Sequence, residues 1–533
     1  MAESHDVAAT PNRIEPRFVS LRDATLILGL QFLLLVFRLG QIPLLGPDEP
    51  RYARVAVEMA RANEFVTPTL AGTPWLEKPP LYYWLAGAGF RVLGETEFAA
   101  RWPAVFAALL LTGFTGLTAA RLFGRECGRL AMLILATSPI TFAYGRAASM
   151  DMLVAAFVTG ATGLFLLSIH GIAGPAAVPA AWTLVGVAVL AKGPIGLVLP
   201  LGIAIVTCLG LRRFQFRLVV TPLALALATL VAGPWFVGVY LDQGFHFIEV
   251  FILNHNLQRF TSTVHNHPGP FYYYLPVLLV AVFPWTGLMA GLGSTRALDR
   301  PARWTLAAWI AVPLVLFSLA GSKLPGYILP CLPPLAIALA LAAQNLSMLE
   351  RSRVHRVAGL IGLAIAAVLL AVTVRGIRQE APWARSALGP ALWALASMFL
   401  VSRTFDRSRA DAARILAISA AGFLLLLTIV APPVLDAMES GRRLFLPANN
   451  REVLVVGAWR TAWMSGYFYN DGRVVELSNL DRARELIAIE PRLLLLGPAQ
   501  WETLRASENL KSLKLSEGPR GNVLARISTR SQD

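Results

Sequence analysis

The chain has 533 residues, 56% of them hydrophobic and 15% charged, with a mean hydropathy of +0.58. Soluble proteins carry roughly 45–50% apolar and about 25% charged residues, so this composition excludes a soluble enzyme, a disordered chain and a disulfide scaffold. The formal charge of +15 would point to nucleic acid in a soluble chain; here it reads as arginines that orient membrane segments, and no nucleic-acid partner is expected.

The N-terminus is polar, with Arg13, Arg17 and Arg22, and turns apolar at Ala24. No small-residue cleavage site precedes Gly46, so this stretch reads as an uncleaved first span. A crossing takes roughly 20 residues. Runs able to cross lie at 24–40, 102–122, 129–147, 151–170, 177–191, 194–211 and 218–240, then at 271–292, 303–320, 325–344, 356–374, 386–401 and 413–431. A further run, 79–94, is short for a crossing and reads as lying in the interface. Arginine placement decides between the two counts. If 79–94 does not cross, the clusters Arg121/Arg125/Arg129, Arg212/Arg213/Arg217, Arg296/Arg300/Arg303, Arg351/Arg353/Arg356 and Arg403/Arg407/Arg409/Arg414 all share the N-terminal side. The positive-inside rule then predicts thirteen spans with the N-terminus inside.

That topology puts the unusual polar segments on the outer side: 41–101, the Ser149–Asp151 turn, Lys192, the loop 241–270 and 321–327. Segment 41–101 has amphipathic stretches that suit interfacial helices. After Pro432–Pro433 the composition changes, and from about residue 440 strand-like and helix-like stretches alternate (452–456, 459–469, 473–477, 480–489, 492–496), which predicts a small outer α/β domain. The expected architecture is therefore a mostly α, polytopic membrane protein of about thirteen helices over 1–435, with interfacial helices in the first outer loop, and an α/β domain over 436–533. Cys127, Cys208 and Cys331 lie far apart in or beside apolar runs without metal-type spacing, and read as structural thiols.

Lysine usage carries the chemistry. Only five of the 47 basic residues are lysines, and Lys511 and Lys514 lie in the tail. The other three each stand one or two residues before a proline at the outer end of a span: Lys78-Pro79, Lys192-Gly193-Pro194 and Lys323-Leu324-Pro325. A compact ammonium held where a helix is broken suits phosphate or pyrophosphate; the alternative is snorkelling, which this chain otherwise does with arginine. The acids come next. Asp48 and Glu49 sit between Pro47 and Pro50, where a carboxylate can serve as general base or as helix cap. Asp151 opens an apolar span, where an ionisable group is functional by default unless it simply caps the helix. Glu77 could pair with Lys78, ligate a metal or hold an acceptor amine. Loop 241–270 holds His246, His255, His265 and His267 with Arg259. These histidines could bind zinc with Glu77, or only hydrogen-bond within the loop; Arg259 suits a phosphate fork. Phe271–Tyr274 reads as an interfacial aromatic belt or a sugar-stacking surface.

Pro-Asp-Glu-Pro-Arg-Tyr (47–52), Glu-Lys-Pro-Pro-Leu-Tyr-Tyr-Trp (77–84), Gly-Glu-Thr-Glu-Phe-Ala-Ala-Arg (94–101), Met-Asp (150–151), Gln-Arg-Phe (258–260) and Lys-Leu-Pro-Gly-Tyr-Ile-Leu-Pro (323–330) together resemble the aminoarabinose transferases of lipid A modification. These are C-type glycosyltransferases related to protein O-mannosyltransferases. The resemblance implies a bacterial inner-membrane enzyme with a periplasm-facing site, an undecaprenyl-phosphate-linked sugar donor, and lipid A or another periplasmic acceptor. It implies Asp48 and Asp151 as the catalytic acids, and Lys78 and Arg259 on the lipid phosphate. Tyr327 would line the donor cavity, with Lys192, Lys323, Glu49 and Tyr82 completing the substrate-binding set. A divalent metal such as zinc would be held by Glu77 with His255, His265 or His267. A transporter of lipid-linked sugars is the reading from a different class; it predicts internal repeats and mid-membrane charges, whereas here no repeat is visible and the charges gather at one side.

Overall fold

A computed structural model describes residues 18–213, 216–258, 269–345, 348–381, 383–403 and 409–529. Among these, eight helices are long and apolar enough to cross a membrane, and two bent helix pairs raise the number to ten. Each of the thirteen apolar runs falls on a helix or bent pair. The eight helices and two bent pairs account for ten of the runs; two more form helices of 16 and 17 residues, Ala177–Lys192 and Ile195–Leu211, and the thirteenth lies on the helix Ala384–Arg403.

The N-terminal half runs α1 (Leu21–Val36), α2 (Asp48–Ala62), α3 (Leu81–Leu93), α4 (Glu97–Phe123), α5 (Arg125–Ala136), α6 (Pro139–Gly145), α7 (Asp151–Ile169), α8 (Ala177–Lys192), α9 (Ile195–Leu211) and α10 (Pro222–Gln243). Between α5 and α6 the chain bends by 61°. Pro139 lacks the N–H that would continue the ladder. Thr137 and Ser138 bond back to the carbonyls of Leu133 and Ile134 at 2.7 and 2.6 Å, a habit that bends helices. The pair Tyr274–Ala281 and Trp285–Ala297 turns by 110° around Pro284.

Helix α3 has 13 residues, about 20 Å of rise, which falls short of a hydrocarbon core of roughly 30 Å. It lies against α2, whose buried face carries Tyr52, Ala53, Val55, Ala56, Val57 and Met59. Glu58, on the other side of α2, gathers Arg54 Nε (2.6 Å), Thr69 Oγ1 (2.7 Å) and the backbone N–H groups of Ala71 (2.9 Å) and Gly72 (3.2 Å). It thereby clamps the small antiparallel ribbon β1 (Thr69–Leu70) and β2 (Thr73–Pro74) to the helix.

The last long helix, Arg409–Met438, leads into a five-stranded sheet of β3 (Val453–Val456), β4 (Val474–Glu476), β5 (Arg492–Leu496), β6 (Leu510–Glu517) and β7 (Val523–Thr529), in the order β4-β3-β5-β7-β6. β3 is parallel to β4 and β5, while β7 is antiparallel to β5 and β6. Val453, Val455, Leu493 and Leu495 pack with Leu444, Phe445 and Trp463 on one face. Leu454, Val456, Leu494 and Leu496 pack with Ile487, Trp501 and Leu504 on the other. Both faces are covered, which is why these central strands are apolar throughout rather than alternating. The sheet unit rests on α2 and α4: Asp471 takes Arg61 Nη1 at 2.8 Å and also pairs with Arg54, and Arg442 meets Glu97 at 3.3 Å.

Candidate functional site

Four polar side chains far apart in sequence meet in one cavity of about 470 Å³: Lys78, Asp151, Lys192 and His255. Breaks in helices bring them there. Lys78 precedes the Pro79-Pro80 start of α3; Asp151 opens α7; Lys192 closes α8, where Gly193 turns at φ 79° before Pro194 and α9. His255 stands on the π-helical stretch Ile248–Gln258. Tyr327, in the 3₁₀ turn Pro325–Cys331, forms a further wall. Most of the remaining lining is apolar, with Ile195, Leu199, Ile252, Leu316 and Phe317. The cavity thus combines a few charged groups with a mostly apolar lining.

Inside it, Lys192 Nζ pairs with Asp151 Oδ1 and stands 4.8 Å from the centroid of the Tyr327 ring. Lys78 is largely buried and donates to the carbonyl of Glu77 at 3.2 Å. The Glu77 carboxylate faces His255 Nε2 at 3.7 Å. Lys323, the third proline-linked lysine, is 8% exposed and donates to the carbonyl of Ala320 at 2.8 Å. Its neighbours Ser322 and Gly326 line the cavity, and Lys323 supports their turn.

Asp48 opens α2 with its side chain 54% exposed and paired to Arg51. Arg51 in turn accepts no freedom of its own: Nε donates to the carbonyl of Pro47 at 2.9 Å, and its guanidinium lies 5.2 Å from the Trp75 ring centroid. Beneath them Tyr52 and Tyr83 are buried. Burial first, then the carboxylates of Asp48 for Tyr52 and of Glu77 for Tyr83, push both phenols well above their ordinary value, so they remain neutral.

Glu49 and Tyr82, expected from sequence to touch substrate, lie outside the cavity lining and bond to neighbouring backbone and to Arg101. Glu49 Oε2 takes Arg101 Nη2 at 2.6 Å and the N–H of Leu45 at 2.7 Å, while Oε1 takes the N–H of Ala148 at 2.7 Å. Arg101 is fully buried and also donates to the carbonyls of Leu39, Ile42 and Pro43. Tyr82 donates to the carbonyl of Ala100 at 2.8 Å. Sequence reasoning passed over Arg101 as a partner, although it ends the Gly94–Arg101 motif. It also missed Arg146, which donates to the last carbonyls of α1 at Leu34, Leu35 and Phe37. A buried arginine and a solvated one look alike until the counter-group is known.

Arg259, His265 and His267 lie outside the described residues. Among the described residues no group of three or more His, Cys, Asp or Glu side chains could hold a metal ion; Glu77 and His255 form a pair.

A family model described as dolichyl-phosphate-mannose-protein mannosyltransferase matches residues 77–237. An undecaprenyl phosphate-alpha-4-amino-4-deoxy-L-arabinose arabinosyl transferase of Pectobacterium carotovorum is 33% identical over 66% of this chain and 65% of its own length. The protein of the same name from Pectobacterium atrosepticum is 32% identical over 68% of this chain and 67% of its own. The chain thus spans about two thirds of the length of these curated relatives. The crystal structure of ArnT from Cupriavidus metallidurans bound to undecaprenyl phosphate superposes with a TM-score of 0.80 over 95% of this chain and 98% of that one, at 23% identity, and shares its fold. On the sequence match over most of both chains, together with that shared fold, the chain belongs to the aminoarabinose transferase family of C-type glycosyltransferases.

Proposed function

We propose that the protein is an inverting glycosyltransferase that moves a sugar, an aminoarabinose-like pentose or a hexose, from undecaprenyl phosphate to a periplasm-facing acceptor, lipid A or another glycolipid. It would sit in the bacterial inner membrane as thirteen spans over 1–435, with the α/β domain of 436–533 in the periplasm. The observation that carries this reading is the cavity, in which two lysines and a carboxylate join an otherwise mostly apolar lining. A polyprenyl phosphate likewise joins an anionic head to a hydrocarbon tail. The relatives are named for such a donor.

The chemistry follows from that fit. The bond between the anomeric carbon and the phosphate oxygen breaks, and negative charge grows on the leaving phosphate. Lys78 and Lys192, with Arg259 by sequence, supply fixed cations for it in a site poor in water. The donor phosphate competes with Asp151 for Lys192, so Asp151 holds the lysine in position before the donor arrives. The Tyr327 ring keeps the same ammonium over its face. An acceptor oxygen attacks the anomeric carbon from the opposite side, held or deprotonated by Asp48, whose carboxylate Arg51 fixes at the start of α2. A single displacement inverts the anomeric centre.

The test is a transfer assay with purified protein, radiolabelled undecaprenyl-phosphate sugars and lipid A. Wild type moves label to lipid A with inversion, Asp48→Asn moves none while still binding donor, and Lys78→Ala loses donor affinity. A retained anomer contradicts the single displacement. Activity retained in Asp48→Asn reduces that residue to a helix cap. If no label moves in wild type but labelled lipid crosses vesicles, the protein is a transporter.

A further inference from the structure

A second polar hollow lies at the opposite end of the helices from the lysine cavity. Helix α4 links the two regions: Arg101 near its start bonds Glu49, and its last turn precedes Arg125. Its 27 residues span about 40 Å, enough to cross a bilayer. At that far end a groove of about 610 Å³ opens between α1, α5 and the helix Arg409–Met438. Arg22, Arg125, Arg129 and Arg414 line it, against the single carboxylate of Asp23. Asp23 is 3.5 Å from Arg125, and Glu126, outside the groove, takes Arg129 at 2.6 and 2.8 Å. The lining of the groove itself thus carries four guanidinium groups and one carboxylate.

Two further observations point to the occupant. All three helices begin here, packed on one another, so their positive dipole ends converge on the groove. The groove is also lined by Leu26, Leu133 and Ile418, and Leu26 and Ile418 are 62% and 65% exposed. A soluble anion would need the arginines only. A phosphate carried on acyl chains uses both parts, with its head group among the guanidiniums and its chains along the apolar wall. Basic hollows between transmembrane helices on the cytoplasmic side suit such lipids.

We propose that this groove is a binding site for an anionic phospholipid of the inner leaflet. The lipid phosphate sits between Arg22, Arg125 and Arg414 and ties α1, α5 and the helix Arg409–Met438 together on the face opposite the lysine cavity. The site is independent of the transfer reaction and can be read without it.

Native mass spectrometry of the detergent-purified full chain tests this with phosphatidylglycerol, phosphatidylcholine of the same chains, and inorganic phosphate. Phosphatidylglycerol should be retained at least about tenfold more tightly than phosphatidylcholine. Arg22→Ala/Arg125→Ala should weaken it by about tenfold or more, the scale expected for losing charge-assisted hydrogen bonds to a phosphate. Arg212→Ala/Arg213→Ala removes the same charge from exposed positions elsewhere and should leave retention unchanged. Equal weakening in that control, equal retention of phosphatidylcholine, or displacement of the lipid by inorganic phosphate at comparable concentration would each overturn the proposal. Should the alanine pair fail to fold, Arg22→Gln/Arg125→Gln reads the same way.

Discussion

Arg101 and Glu49 form an internal brace for the backbone around them. The pair is buried, with Arg101 at 0% and Glu49 at 8% exposure, and between them they hold the backbone of Leu39, Ile42, Pro43, Leu45 and Ala148. They thereby fix the loop that delivers Asp48 to the start of α2. Removing one partner leaves the other buried and unpaired, at a cost of about 3–5 kcal/mol. Arg101→Ala should therefore lower the thermal midpoint in detergent and reduce folded yield, whereas Asp48→Asn, at a half-exposed position, should leave both near wild type. A stable Arg101→Ala protein would remove the scaffold role. The sequence made Lys78, Asp151 and Lys192 conspicuous because each is an ionisable group in apolar or proline-rich surroundings, and these three do meet in one cavity. It could not separate Asp48 from Glu49, since adjacent carboxylates in a turn differ only in which way each side chain points.

Helix ends were legible where proline marked them. Pro79-Pro80, Pro194 and Pro325 stand at starts or breaks, whereas Pro139 and Pro284 break runs that the sequence reading takes as continuous. What patterning could not convey was the bend, because hydropathy reads 129–147 as one run whether the axis is straight or turned by 61°. Nor could it reveal that α2 docks the C-terminal unit, a contact made by Asp471 with Arg54 and Arg61. Burial works to raise the Asp471 carboxyl, but the hydrogen bonds and charge of those arginines outweigh it and hold it below its ordinary 3.8. A depressed folded value means that the docking contribution is complete above pH 3.8 and fades as pH falls through the lower, folded value. Proteolytic release of the C-terminal unit should accordingly rise in acid below that point. Asp471→Asn should show weaker docking at neutral pH and lose the added acid sensitivity; an unchanged acid profile in Asp471→Asn would assign the effect to other groups.

At the scale of the whole molecule the question is which face carries the lysine cavity. Contacts at helix ends bear on it. The cavity gathers the start of α7, the end of α8, the start of α9 and the turn at Pro325, so these ends share one side. The arginine groove gathers the starts of α1, α5 and Arg409–Met438 on the other. The C-terminal sheet rests on α2, near Asp48, and so belongs to the cavity side. An odd number of crossings is needed to carry the chain from an arginine-rich start to that side, which supports thirteen over twelve or fourteen. The three native cysteines are buried, giving a low background for labelling of single new ones. Arg482→Cys, on an exposed helix of the sheet unit, should react with a membrane-impermeant maleimide once the outer membrane is opened. Arg212→Cys, exposed at the end of α9, should react only after the inner membrane is broken. Labelling of both positions under the first condition would break the thirteen-span topology, and the reverse pattern would put the lysine cavity on the cytoplasmic side, where a periplasmic acceptor could not reach it.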